Sequence, residues 1–420
     1  MAIRAWESIQ VELHGTYSVE RMYQLKVYSE STSLARVIGI LVVSFVPCLA
    51  VVLLLDCIPL QLPSRGLGHS HTFWIRALLA VWIAHLAIFG QLRQFVVEFP
   101  ITRRQVVIIS LLTGAAGIAF AFGMACQIGF PLPFMIAMEA PVSVLGFTAA
   151  LLIGWGHFLQ ENPHVRADLV TYVTIVFIQL ALIYVYPAFS FAFRRLTSSD
   201  QTAFALFLPV MKLAFKNCIS YVVRHMEDSK PQVVIFNIEI FHAFYVTATM
   251  QNATSTSTIL LLMSIDMLQN WISLCDVHSL TKVASERFHN PQQTSLLYVI
   301  AAYNLPNRVY CTQLKGMTSA MLERSTYNIL LYAALELLSF IVLAVFLKRK
   351  LELSSLHHLA FVLETQWRLI QSKLILWTTI AVQMSLEHFG TDYSFQFAWL
   401  HSTPTPTPAT AAVATSSNRS

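Results

Sequence analysis

Apolar residues run on in this chain for longer than a soluble core helix needs. Val37 to Leu55 is nineteen residues without a charge, enough at about 1.5 Å per residue to cross a hydrocarbon core of about 30 Å. Similar runs follow at Phe73 to Gly90, Val106 to Ile128, Phe134 to Gly154, Leu169 to Phe193, Ala203 to Val223, around Glu239, around Asp266, and at Asn328 to Leu347 and Leu369 to His388. This pattern predicts an all-α polytopic membrane helix bundle with about eight to ten transmembrane helices. The last run carries Thr379, Gln383 and Glu387 on one stripe, so it either crosses or lies in the interface plane. The patch at 294 to 305 is too short to span.

Breaks in the pattern set the boundaries. Pro47 should kink the first run, and Asp56 with Pro59 and Pro63 should end it. Gly129-Phe130-Pro131-Leu132-Pro133 is an uncharged turn that makes the third and fourth runs a hairpin. Ala115, Ala119 and Gly123 on one side, and Gly146, Ala150 and Gly154 on the other, form smooth ridges for close packing. Residues 1–36 read as a cytoplasmic N-terminal arm, 37–400 as the transmembrane domain with a polar loop at 276–327, and 401–420 as a Thr-Pro-rich disordered tail.

Composition agrees: 56% of residues are hydrophobic and 12% charged, with a mean hydropathy of +0.60. The net charge of +5 comes largely from Lys and Arg flanking apolar runs, so it speaks for orientation and not for a nucleic-acid partner. The expected partners are membrane lipid and an ion or small solute. None of the six cysteines makes a CxxC pair, and most lie within or beside apolar runs, as buried thiols do.

The positive-inside rule conflicts with itself. Arg93, Arg103 and Arg104 place one short loop in the cytoplasm, together with the N-terminal arm. If every long run crosses, the basic 276–327 loop falls inside and the triplet Lys348-Arg349-Lys350 outside; if one middle run does not cross, the reverse holds. Asn252-Ala253-Thr254 is a formal glycosylation sequon that needs a lumenal or extracellular loop.

Candidate chemistry lies in the charges within the runs. Lys212 and Lys216, Glu239 and His242, Asp266 and Asn270, and Glu336 fall on helical stripes, forming a candidate polar pathway or ion-pair core. Each charge at bilayer depth costs roughly 2.5 to 3.5 kcal/mol, which favours a shared polar interior. One reading is a transporter or channel-like protein, with Pro209 marking a broken helix beside Lys212. The other is a membrane scaffold or receptor in which the same charges are structural pairs. Arg76 is expected to snorkel to the surface, Glu139 to meet water near a helix end, and His85 to be the deep titratable group of its run.

Gly15-Thr16-Tyr17-Ser18-Val19-Glu20-Arg21-Met22, Leu208-Pro209-Val210-Met211-Lys212-Leu213, His358-Leu359-Ala360-Phe361-Val362-Leu363-Glu364, Gln366-Trp367, Ser372-Lys373-Leu374 and Glu387-His388-Phe389-Gly390-Thr391-Asp392-Tyr393-Ser394 resemble a large oomycete family of multi-pass membrane proteins. The resemblance runs nearly to Leu400 and implies architecture; it carries no activity, substrate or site residue.

No GxxxxGK, GxGxxG, HExxH or GxSxG occurs, so cofactor use is not expected and the reading leans away from an enzyme. His357-His358 with Glu364, and Glu387-His388 with Asp392, lack the ligand repetition of a metal site; local hydrogen bonds at the interface are expected instead. The aromatics from Tyr393 to Trp399 read as an interfacial belt or a short strand.

Overall fold

The computed structural model describes residues 19–224, 307–312, 318–351 and 354–401, together with scattered helical positions between 233 and 268. Helix α1 (Val19–Ser31) leads into α2 (Leu34–Val43) and α3 (Val46–Asp56), followed by α4 (His71–Phe95), α5 (Arg103–Ile128), α6 (Met135–Glu161) and α7 (Pro163–Arg195). Then come α8 (Ser198–Ala205), α9 (Phe207–Val222), α10 (Ser319–Leu351), α11 (Ser355–Thr365), α12 (Trp367–Met384) and α13 (Ala398–His401).

Proline chemistry explains the two interrupted spans. Pro47 sits in the first turn of α3, where its missing N–H costs nothing, and the turn before it separates α2 from α3. The carbonyl of Ser44 at that break accepts a hydrogen bond from Gln371 Nε2 at 2.7 Å, so the break is satisfied within the protein. A second break falls at Leu206, between α8 and α9, with Pro209 in the first turn of α9. This is the interruption that Pro209 predicts.

Among the described residues, seven stretches are long and apolar enough to cross a membrane: α2 with α3, α4, α5, α6, α7, α8 with α9, and α10. Their outer faces are strongly apolar; on α6, Leu145 is 70% and Ile153 87% exposed. Such a surface is stable in lipid and not in water, so the chain has the build of a multi-pass integral membrane protein. The runs around Glu239 and Asp266, and the sequon at Asn252, lie mainly outside the described residues.

Helix α12 lies inside the bundle. Its eighteen residues, about 27 Å long, pack chiefly against α4 and α3. Gln371, Lys373, Thr378, Thr379 and Gln383 are all buried. An interface-plane helix would keep such residues in water; here polar groups of other helices receive several of them.

The connections also settle which ends lie together. Tyr28 Oη donates to Glu364 Oε2 at 2.8 Å, Arg36 pairs with Glu364 at 2.5 Å, and His357 Nε2 donates to the Thr32 carbonyl at 3.1 Å. The entry to α2 and the exit of α10, with its basic triplet, therefore share one end of the bundle. At the opposite end, Asn307 Nδ2 donates to the carbonyls of Asp56 at 2.8 Å and Ile58 at 2.9 Å, and the Thr312 N–H donates to the Ser385 carbonyl at 2.8 Å. Of the two topologies, this is the one with the triplet beside the N-terminal arm. An impermeant maleimide applied to one side of oriented vesicles should label Glu30→Cys and Lys348→Cys together, and Arg65→Cys and Val309→Cys only from the other side.

The last described segment braces the α5–α6 turn. Phe134 N–H donates to the Gly390 carbonyl at 3.0 Å, and Trp399 Nε1 donates to the Pro131 carbonyl at 2.7 Å. Gly390 has φ +60°, and a Cβ there would stand 2.1 Å from the Leu132 oxygen. Only glycine fits this approach. No strand forms from Tyr393 to Trp399; Tyr393, Phe395 and Phe397 pack around Phe134 instead.

Two buried histidines make the fold sensitive to acid. Burial lowers His358 from the usual 6.5 to about 4. His388 is lowered to about 4 by burial, with the Arg76 charge adding to it and its hydrogen bond to the Gln61 carbonyl opposing it. Between these values the unfolded chain binds protons that the folded chain does not, so stability should fall as pH drops from 6.5 towards 4. Melting followed in detergent at pH 7.5 and pH 5 should give the lower midpoint at pH 5, and His358→Gln should reduce the difference.

Candidate intramembrane site

A cavity of about 150 Å³ lies between α4, α5, α6, α7 and α12. The antiparallel series α4, α5, α6 packs tightly, as does α12 on α4, whereas α7 meets α4 and α6 only sparsely. The space opens along that loose contact. Its wall is mainly aliphatic and aromatic, with a few polar groups from each side.

On α6, Glu139 faces this space and is 6% exposed. It accepts a hydrogen bond from Ser143, one turn later on the same helix. Gly117 of α5 makes room for the pair: a Cβ at that position would lie 2.6 Å from both Glu139 Oε1 and Ser143 Oγ. Among the described residues no cation pairs with Glu139. Across from it, His85 Nδ1 lies 3.1 Å from Thr113 Oγ1, and the Thr113 hydroxyl donates to the Ile109 carbonyl at 2.8 Å. Thr113 is therefore the acceptor for His85 Nδ1–H.

Two further polar wall residues lead away to buried basic side chains. Gln179 of α7 donates to Asn237 Oδ1, which also accepts from Lys373 Nζ at 2.6 Å; Lys373 donates again to Gln91 Oε1 at 3.0 Å. Gln383 of α12 accepts from Arg76 Nε at 3.0 Å, and Arg76 Nη2 pairs with Asp56 Oδ1 at 3.0 Å. The ten residues from Lys373 to Gln383 put these networks about 15 Å apart along α12. The cavity thus has a buried Lys373 network towards one end and a buried guanidinium network towards the other.

Arg76 does not snorkel. It is fully buried and Asp56 is 2% exposed, because the α3–α4 connection, folded through tight turns at Pro63–Arg65 and Leu67–His69, brings an acid and a base of adjoining helix ends together. Nor does Glu139 meet water at a helix end, since the α5 surface and the last described segment close over that end of α6. Of the residues expected to line a polar pathway, Lys216 is buried on α9 and Lys212 half-buried. His242 is buried and shares a hydrogen bond of 3.0 Å with Tyr186 of α7, and Glu336 is half-buried on α10. None of these four lines the cavity. Glu239, Asp266 and Asn270 lie outside the described residues.

The residues at the cavity carried weaker sequence signals. Glu139 and Ser143 at i, i+4 opposite a glycine on the neighbouring hairpin helix were one such signal. The Thr379 and Gln383 stripe was visible as polar, but its partners come from far along the chain. No family model matches this chain, and no curated protein or solved structure is significantly similar to it.

Removing one half of the buried ion pair leaves the other charge stranded. Asp56→Asn should cost about 3 to 5 kcal/mol of stability. The double change Asp56→Leu with Arg76→Met should recover most of it. Thermal unfolding of the three variants in detergent measures both effects.

Proposed function

We propose that this chain is a membrane carrier that takes a small solute into the cavity between α4, α5, α6, α7 and α12 and releases it on the other side. The observation that carries this reading is the cavity itself, with a carboxyl at its wall that is hydrogen-bonded to Ser143 and has no cation partner among the described residues. Ion-paired charges would suffice to glue helices together. A partly open space beside a carboxyl that has no described cation partner suits occupancy by something else.

The helices around the space have points at which they can bend. Pro187 within α7 removes the N–H that would bond the Ile183 carbonyl, and Ile183 lines the cavity. Pro141 does the same to Ala137 on α6, two residues beyond Glu139. Movement of α7 against the tightly packed α4, α5, α6 and α12 group would open the space alternately to the two sides. The basic residues Arg93, Arg103 and Arg104 and the triplet in the last turn of α10 support a cytoplasmic placement for the end that carries the N-terminal arm.

Cysteine accessibility tests the reading. With the six native cysteines replaced, Ala140→Cys and Val176→Cys should react with a charged, membrane-impermeant methanethiosulfonate reagent from the aqueous phase. Leu182→Cys, at a fully buried position away from the cavity, should stay inert. Protection of all three positions from both sides would overturn the proposal.

A further inference from the structure

We infer that the ligand class of this cavity is a small monovalent organic cation, an ammonium group on an apolar body, with Glu139 as its counter-ion. This rests on the carrier reading above and names what the same space recognises. Glu139 accepts one hydrogen bond, from Ser143, and a carboxylate has capacity for several more. Its residue borders the cavity. Charge balance in such a wall calls for one positive entity, a proton or a cationic ligand.

The rest of the wall selects between cations. Phe89, Phe147, Phe177, Trp377 and Phe389 border the space, with the Phe89 and Phe147 rings 4.7 Å apart. Aromatic faces attract alkylated ammonium groups without needing hydrogen bonds from them. A hydrated metal ion, by contrast, needs several oxygen ligands, and the described residues hold no group of three His, Cys, Asp or Glu placed to bind one. Size narrows the class further: the space holds about 150 Å³ and is partly open, so it seats a benzene-sized body and leaves room for one small substituent beyond it.

Tyr184 on α7 is the titratable group that interacts with Glu139, and Gly117 of α5 lies against it. His85 on α4, Thr113 on α5, and Thr379 and Gln383 on α12 border the same space. The arrangement therefore makes a proton and an organic cation competitors for one carboxyl. Exchange of one for the other across the membrane would carry no net charge.

Phenyltrimethylammonium and its neutral isostere tert-butylbenzene separate the possibilities, with binding to the purified full chain in detergent read by calorimetry. The cation should bind the native protein about tenfold or more tightly than the isostere. Glu139→Gln should lose the cation preference and keep the isostere, which also shows that the variant is folded. Should Glu139→Gln not fold, the native protein still decides the matter. Its affinity for the fixed-charge cation should fall as pH is lowered from 8 to 6, also in His85→Gln, while that for the isostere stays level. Equal binding of both ligands to the native protein, or a cation affinity indifferent to pH and to Glu139→Gln, would overturn the cation assignment and leave the carrier reading standing. Failure of both ligands to bind the native protein would overturn both.

Discussion

The buried pair between Asp56 and Arg76 holds one end of the bundle together, and most of the architecture depends on it. Each charge alone would be costly in this position. Together they fix the end of the first span against the start of α4, and Gln383 and Asn307 add further hydrogen bonds to them. One cluster therefore ties the first span, α4, α12 and a segment some 250 residues from Asp56 into one end cap. With α12 held at that end by Gln383 and near the other by Gln371 on the Ser44 carbonyl, the polar helix stays inside the bundle and the apolar ones face outward.

That arrangement gives different roles to the buried polar groups. Arg76 is neutralised by an acid and so serves structure. Lys373 is held by the amide oxygens of Gln91 and Asn237, with no carboxylate partner among the described residues. Glu139 is the cavity-wall acid that has a hydroxyl partner and a glycine-shaped recess, but no described cation. The sparse packing of α7 leaves the space that this carboxyl faces. Stability and the proposed activity thus draw on separate charges, one set closed by pairing and the other open to a ligand.

How much of this was legible in the sequence varies with the range of the interaction. Seven of the spans, the break near Pro47, the break before Pro209 and the α5–α6 hairpin follow from local apolar length and proline position, and these are present among the described residues. The burial of Arg76 was not legible, because snorkelling and pairing with Asp56 place the same residue at the same helix end and differ only in how α3 meets α4. Glu139 was discounted for the same reason. Nothing within α6 reveals that Gly117 of α5 and the segment around Gly390 cover that end.

The sequence by itself determined the solvent of this protein and the lengths of its helices, because hydrocarbon thickness and backbone hydrogen bonding act on one segment at a time. Tertiary structure alone decided which end of the bundle each loop occupies. It also decided which polar helix lies inside, and which carboxyl faces a cavity instead of a partner charge. These depend on contacts between residues up to several hundred positions apart, where periodicity and local charge carry no information.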